Sequence, residues 1–506
     1  MIQSATIRDV PLGGRDDAVF EPWLECLGRL DGARVACVGD IMLDCFIRGS
    51  VQRISPEAPI PVLNVSTEEW CVGGVGNVAR NISALGAQCC LTAVIGDDAA
   101  GGRLQQELAA ITRLEASMII ESGRPTTTKT RCVCGSQQLL RIDREVRQPI
   151  APASAAQWLE TVRNHCRRAQ VVVISDYDKG ALTGDTLRAT IDAARQAGIP
   201  VVVDPKGHDY AKYRGATLIT PNRSELAQAT QMPVDTLADV ERAARALQTT
   251  LDIEVVCATL SEEGMLLVRR SGPAVHHPAE AHEVYDVSGA GDTVVAVLAA
   301  SLAVGASLEI AAGLANLAAG IVVGKRGTAT VDRSELLRQL RSAASHSAGS
   351  KVVAAEHAIP QIADWRAEGR SVGFTNGCFD IIHPGHCALL ESAARRVDKL
   401  IVGLNSDASV RRLKGPTRPV QDELSRATVL ASLAYVDLVV LFDDDTPRKL
   451  IEVFRPDALF KGADYHLENV VGADFVQSYG GRVELLELIP KQSTSKLVAR
   501  MCQAAD

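Results

Sequence analysis

From Arg34 onward, short apolar runs alternate with Ala-rich stretches of helical length. The runs Arg34–Val38, Cys89–Val94, Val171–Ser175, Val201–Val203, Thr217–Thr220 and Glu254–Thr259 predict strands. Segments such as Gln157–Arg168 and Thr186–Ala197 predict helices between them. Strands alternating with helices imply an α/β, doubly wound and mainly parallel sheet covered on both faces. Two segments break the rhythm. Pro59–Ser66 and Thr126–Asp143 are β-rich without intervening helices, which predicts a small second sheet lying as a lid over the first. Before Arg34, residues 1–30 read as an extension ending in a helix near Ala18–Leu30. Small polar residues in RSAASHSAGSK predict a linker over 342–355. A second alternation follows at Ser371–Thr375, Leu400–Leu404, Leu438–Phe442, Ala458–Lys461 and Val483–Leu488. The pattern therefore predicts one domain over 31–341 and a Rossmann-like one over 356–506.

Composition narrows the class. The chain has 506 residues, 46% hydrophobic and 23% charged, enough for sizeable cores. A net charge of −8 argues against a nucleic-acid partner, whose binding domains carry a basic face. No basic start followed by an apolar run marks the N-terminus as a signal peptide. The longest apolar stretch, Ala311–Gly324, is shorter than the roughly 20 residues a bilayer needs. Thirteen cysteines without a C-x-x-C pair fit a reducing cytoplasm. Cys132 and Cys134 are expected to share a strand face rather than a metal. His276, His277 and His282 are expected at the surface or in turns.

The richest stretch of the first domain is YDVSGAGDT, Tyr285–Thr293, running into an apolar helix. A Gly289-Ala290-Gly291 turn at a helix start aims backbone N–H groups at one point, an anion hole for a transferring phosphoryl group. Asp292 stands where a carboxylate takes the proton of an attacking hydroxyl. A glycine-rich helix start capped by Asp would show the same letters. In TPNRSE, Asn222 and Glu225 stand one helical turn apart, as residues ordering Mg²⁺-bound water near ATP would. Asp40 and Asp44 close the first strand, where carboxylates could hold sugar hydroxyls. Gly73, Gly74 and Asn77 open a helix, with no clean apolar strand before them to make a dinucleotide site.

The second domain carries TNGCFDIIHPGH, Thr375–His386. His383 and His386 flank Pro384-Gly385 between a strand and a helix, where two imidazoles can donate to nucleotide phosphates. Gly385 leaves room for a ribose or base. The Asp443-Asp444-Asp445 run is expected to start a helix rather than to hold a metal.

The GD…LD, GG…N, TPNxxE and GAGDT motifs, in this order, resemble the ribokinase-like carbohydrate kinases over about Arg34–Val331. The resemblance implies a β lid, ATP and Mg²⁺, and transfer to a sugar hydroxyl. It implies Asp292 as base, Gly289, Ala290 and Gly291 as anion hole, and Asn222, Arg223, Ser224 and Glu225 at ATP, with Mg²⁺ held through water on Glu225. Asp40, Asp44, Gly73, Gly74 and Asn77 fall to the sugar, and Asp286 and Ser288 to a K⁺ ion. H-x-G-H resembles the cytidylyltransferase-like nucleotidyltransferases. It implies nucleotide contacts from Gly377, Phe379, Asp380, Gly385, Lys414, Arg426, Lys461, Gly462, Asp464, Ser493, Thr494 and Ser495. The usual I-S-T-S reads Q-S-T-S here.

With RISPEAPIPV, SDYDKGAL and VDPKG added, nearly everything after residue 30 resembles a bifunctional heptose kinase/adenylyltransferase family of Gram-negative bacteria. That implies phosphorylation of D-glycero-D-manno-heptose 7-phosphate at O1, then adenylyl transfer from ATP to heptose 1-phosphate, for lipopolysaccharide core synthesis. A separate phosphatase and an epimerase would complete the route. Arg53, Lys179 and Lys206, in these family-like segments, are the expected partners of the 7-phosphate. The exposed edges of a lid sheet imply a homodimer through the kinase domain. Two rivals stand: a kinase for another sugar with cytidylyl transfer, and a non-catalytic sugar-phosphate sensor. An intact Asp292 and paired histidines speak against the sensor.

Overall fold

A computed structural model describes residues 7–9, 17–135, 137–279, 284–325, 327–346, 351–463 and 465–487. The chain divides into two compact units, one built from Glu21–Leu340 with the N-terminal strand, the other from Arg341 onward.

Among the described residues, the first unit holds a ten-stranded sheet. Its order is Arg8–Asp9, Val275–His277, Met265–Arg269, Val255–Thr259, Leu218–Ile219, Val201–Asp204, Val171–Ser175, Arg34–Gly39, Gln88–Gly96 and Leu114–Glu121. Only Met265–Arg269 runs antiparallel to its neighbours. The central strands are wholly buried apolar runs, as helices on both faces require: Val171–Ser175 exposes no residue. Chain order runs outward in both directions from Arg34–Gly39, so the topology switches between it and Val171–Ser175. Ligands of such sheets bind beyond the carboxyl ends of the strands at that switch. Here those ends are Gly39-Asp40 and Ser175-Asp176-Tyr177. The strands are so close there that a Cβ on Gly39 would stand 2.1 Å from the Ser175 carbonyl oxygen.

The lid is a four-stranded sheet, ordered Pro61–Gly74, Ile41–Ile54, Thr128–Cys134 and Gln137–Arg144. The expected lid segments are in it. The strand Ile41–Ile54, and the polar strand leading into Gly73-Gly74, are not visible as apolar runs because one lid face meets water.

Three expectations are corrected. The N-terminal segment is built into the first unit: Arg8–Asp9 pairs with Val275–His276, and Trp23, Leu27 and Leu30 of the following segment are buried. Part of the stretch read as linker is ordered: the helix Arg333–His346 runs into it, and Val352–Val353 joins the second sheet. His276 and His277 are buried on a strand, not in turns; His282 lies outside the described residues.

The second unit has an all-parallel six-stranded sheet, ordered Val352–Val353, Leu438–Phe442, Lys399–Asn405, Val372–Gly377, Ala458–Gly462 and Arg482–Leu486. Its switch lies between Val372–Gly377 and Ala458–Gly462. Asp443 and Asp445 pair with Arg412, and Asp444 with Lys449, ahead of the helix Arg448–Phe454.

Candidate active sites

In the first unit the helix Ala290–Ala303 starts at Gly289, whose φ of 80° is left-handed and suits glycine. A Cβ there would also stand 2.9 Å from Asn77 Nδ2. The N–H groups of the helix's first turn have no partners within the helix and gather there. Asp292 sits in that turn, buried. Asn77 Nδ2 donates to its Oδ2 at 2.6 Å, and the Tyr177 hydroxyl donates to its Oδ1 at 2.9 Å. Burial pushes the Asp292 carboxyl up to about 6, against these two hydrogen bonds, which hold it down; nearby Asp44 adds to the rise and Arg80 opposes it. The result is a base poised near neutral pH.

Asn77 is fixed in turn by Arg80, whose Nη2 donates to Asn77 Oδ1 at 3.0 Å and also to the Thr328 carbonyl. Tyr177 and Arg80 went unassigned in the sequence. Arg80 lies three residues after Asn77 on the helix Val75–Ala84, a spacing that brings side chains together. Tyr177 stood in the quoted SDYDKGAL without a role.

Other expected residues have structural work. The Asp40 carboxylate accepts from the backbone N–H groups of Tyr177, Lys179 and Ala181 at 3.0–3.1 Å. It anchors the loop that presents Tyr177. Asp44 accepts from Arg131 Nη1 at 2.5 Å. A Cβ on Gly73 would stand 2.2 Å from Asp44 Oδ2, and one on Gly74 would stand 2.4 Å from the Asp40 carbonyl oxygen, so both glycines are demanded by packing. Asn222 and Glu225 form a reciprocal capping box: the Asn222 side chain accepts from Glu225 N, and the Glu225 side chain from Asn222 N. Glu225 also takes Lys206 Nζ at 2.7 Å. Burial would lower the Lys206 ammonium, but Glu225 holds it up. Arg223 donates to the Val234 and Asp235 carbonyls and pairs with Glu263. Ser224 is exposed and accepts from Gln228. Lys179 pairs with Glu145 at 2.7 Å. Arg53 is exposed near the tip of the lid strand, nine positions beyond Asp44. At about 3.3 Å per residue it stands roughly 30 Å along the strand from Asp44.

Asp286 accepts from Ser288 N at 2.9 Å and from Gly327 N at 3.1 Å. Burial raises its carboxyl, yet these bonds outweigh that and hold it low. A charged carboxylate beside the anion-hole turn fits a monovalent cation. Among the described residues no cluster of three or more His, Cys, Asp or Glu side chains could hold a metal. Glu225, in the first turn of the helix Arg223–Thr230, is a carboxylate of the kind that could order water carried by Mg²⁺, the usual habit of that ion.

In the second unit, His383 caps the helix Pro384–Ala394 and His386 lies in its first turn. The rings stack, 3.8 Å between centres and 17° apart, with Phe379 against His386 at 5.0 Å. Phe379 holds a φ of 40°, and the Gly377 position faces its ring at 3.1 Å. Burial, then His383 and Lys414, pushes His386 down to about 4; burial lowers His383 too. The His386 ring is therefore neutral at pH 7, and the Nδ1 atoms of both rings are buried. Across the switch, Lys461 donates to the Asn376 carbonyl at 2.9 Å. Gly462 ends the same strand, and Gly385 is buried in the helix start. Lys414, exposed, ends the helix Asp407–Lys414.

Two expected nucleotide contacts are corrected. Asp380 is spent on Arg418 and on the N–H groups of Val420 and Gln421. Arg426 is fully buried, with its guanidinium on the Cys378 and Gln421 carbonyls and on Asp407. Both hold loops together. Asp464, Ser493, Thr494 and Ser495 lie outside the described residues.

Residues 33–335 match the pfkB family carbohydrate kinase model, and 374–498 the Cytidylyltransferase-like model. The bifunctional protein HldE of Paramagnetospirillum magneticum is 52% identical over 94% of this chain and 98% of its own length. The chain belongs to this family. That of Caulobacter vibrioides is also 52% identical, over 93% and 97%. Phosphofructokinase-2 from Escherichia coli in complex with potassium shares the kinase fold, at a TM-score of 0.53 and 22% identity over 62% of this chain and 99% of that one. The expectation of a bifunctional heptose kinase/adenylyltransferase holds, and so does that of a carbohydrate kinase fold followed by a Rossmann-like nucleotidyltransferase. ATP is a substrate of both halves.

Proposed function

We propose that the two reactions run at the two switch-point sites. In the first, Asp292 takes the proton from O1 of heptose 7-phosphate as that oxygen attacks the γ-phosphorus of ATP. ADP leaves, and the N–H groups around Gly289–Gly291 receive the charge on the phosphoryl oxygens. In the second, an oxygen of heptose 1-phosphate attacks the α-phosphorus of ATP and pyrophosphate leaves, with His383 and His386 donating to phosphate oxygens and Lys414 and Lys461 offsetting their charge. The observation that carries the kinase reading is the buried Asp292 carboxylate held by Asn77 and Tyr177.

Mg²⁺, ordered near Glu225, would offset triphosphate charge, and K⁺ would sit by Asp286. Exposed Leu140 and Ile142 lie on the lid face opposite Asp44, which favours a homodimer through the lids. A monomeric mass by light scattering at micromolar concentration would refute that. No described helix is long and apolar enough to cross a membrane, and a cytoplasmic enzyme using ATP should fractionate with soluble protein. A separate phosphatase acts between the two steps, and an epimerase is expected to act on the nucleotide sugar. Mass spectrometry tests the whole. ATP and heptose 7-phosphate should give the 1,7-bisphosphate, and ADP-heptose only after a phosphatase is added. Absence of the bisphosphate, or preference for CTP in the second step, would overturn the reading.

A further inference from the structure

The inner face of the lid carries a cation whose neighbours are all otherwise engaged. Lys129 pairs across the sheet with Asp44 on one side and Asp143 on the other. Either carboxylate would be its natural partner. Yet Asp44 is taken by Arg131 at 2.5 Å and Asp143 by Arg141 at 3.0 Å. Lys179, the next cation inward, is itself taken by Glu145. Among the described residues Lys129 Nζ has no carboxylate within ion-pair distance. It rests instead 5.8 Å over the ring of Tyr177. It is half-buried, and burial lowers its ammonium on balance; Asp44 opposes that, Lys179 adds to it, and Asp143 and Glu145 oppose it in turn. A partly desolvated, unpaired ammonium is unfavourable unless an anion arrives to meet it.

The geometry points to one kind of anion. Lys129 Nζ lies 5.8 Å from the centre of the Tyr177 ring and the Tyr177 hydroxyl lies 2.9 Å from Asp292, so the ammonium and the base are at most about 12 Å apart. The terminal phosphate of a seven-carbon sugar whose reacting oxygen is at Asp292 falls within that reach by ordinary bond lengths. The transferred phosphoryl group, by contrast, belongs at the Gly289–Asp292 turn. We infer that Lys129 binds the remote phosphate of the sugar substrate and makes the kinase selective for a phosphorylated sugar. This rests on the kinase reading above and gives Lys129 the role first expected of Arg53, Lys179 and Lys206.

Lys129→Met keeps the length and apolar stem of the side chain and removes the charge; Lys129→Arg keeps the charge. The ratio of kinase kcat/KM for heptose 7-phosphate to that for the unphosphorylated heptose should fall roughly 10- to 100-fold in K129M, mainly through KM, the scale of one charge-assisted hydrogen bond. K129R should restore most of the ratio. A ratio unchanged in K129M overturns the inference. Thermal protection by inorganic phosphate supplies a readout that does not depend on which sugar is used. Protection weaker in K129M than in wild type supports the subsite even if wild type turns over neither heptose, the outcome that would sink the heptose reading alone. Equal protection together with equal ratios leaves nothing for Lys129 to bind.

Discussion

The two active sites obey one rule and are built in opposite ways. Each lies at a sheet's switch point, at the start of a helix whose first N–H groups face an anion. The kinase site gathers Asn77, Tyr177 and Asp292 from three distant parts of the chain. The transferase site draws Gly377, Phe379, His383 and His386 from one short stretch. Burial works against the charged form in both and so moves the two groups in opposite directions: it raises the Asp292 carboxyl to about 6 and lowers His386 to about 4. The kinase thus keeps a group that can take up a proton near pH 7, whereas the transferase keeps in His386 a neutral donor that holds its own.

The comparison breaks most visibly by substitution. Asp292→Asn should lower ADP formation from heptose 7-phosphate by ~10²-fold or more, the scale of general-base loss, and leave pyrophosphate release from heptose 1-phosphate nearly unchanged. His386→Ala should do the reverse by a similar factor. Loss of both activities from either folded variant would refute two separate sites.

Arg426→Met tests the corrected reading of that residue. Removing a buried guanidinium leaves Asp407 and two carbonyls without it, a loss of about 3 kcal/mol. The transferase unit should melt several degrees lower while the kinase transition stays in place. A selective rise in KM for ATP at unchanged melting temperature would restore Arg426 to the nucleotide.

The pH profile sharpens the electrostatic contrast. Asp292 works deprotonated, so kinase kcat/KM should rise with pH through about 6 and then level. Tyr177→Phe removes a bond that holds the carboxyl down, so the rising limb should move to higher pH. Asp44→Asn removes a neighbouring negative charge and should move it lower. Transferase activity should show no rise between pH 7 and 5 from His386, since that ring protonates only near 4 in the free enzyme. A Y177F limb that stays in place would detach Tyr177 from the base.

The smallest effect concerns ions. Replacing Na⁺ by K⁺ should raise the kinase rate a few-fold through Asp286 and leave the transferase flat; equal kinase rates in both salts would remove the ion from that turn.

What could be read from the sequence follows the same division. The histidine pair was legible because its residues are contiguous and the glycine between them has one use. Asp292 was legible for the same reason. Tyr177 and Lys129 were not, since each gains meaning only when the lid and the Val171–Ser175 strand end meet. The intramolecular partners of Asp40, Asp380, Arg223 and Arg426 were not legible because the letters of a charged residue do not say whether its partners are ligand atoms or backbone. In all four cases neighbouring loops had claimed the side chain. The main strands were legible because buried parallel strands are unbroken apolar runs, while the half-wet lid strand Ile41–Ile54 mixes Asp, Arg and Ser with its apolar residues.

The pairing of Arg8–Asp9 with Val275–His276 also sets a clock. A ribosome adds roughly 5–20 residues per second, so the first strand waits on the order of 15–50 s before its neighbour is even made. The outermost position of the kinase sheet is therefore filled by a segment made well before its partner and is among the last to be closed. A fusion or cleavage near Arg8 should slow or spoil maturation of the kinase far more than its catalysis once folded.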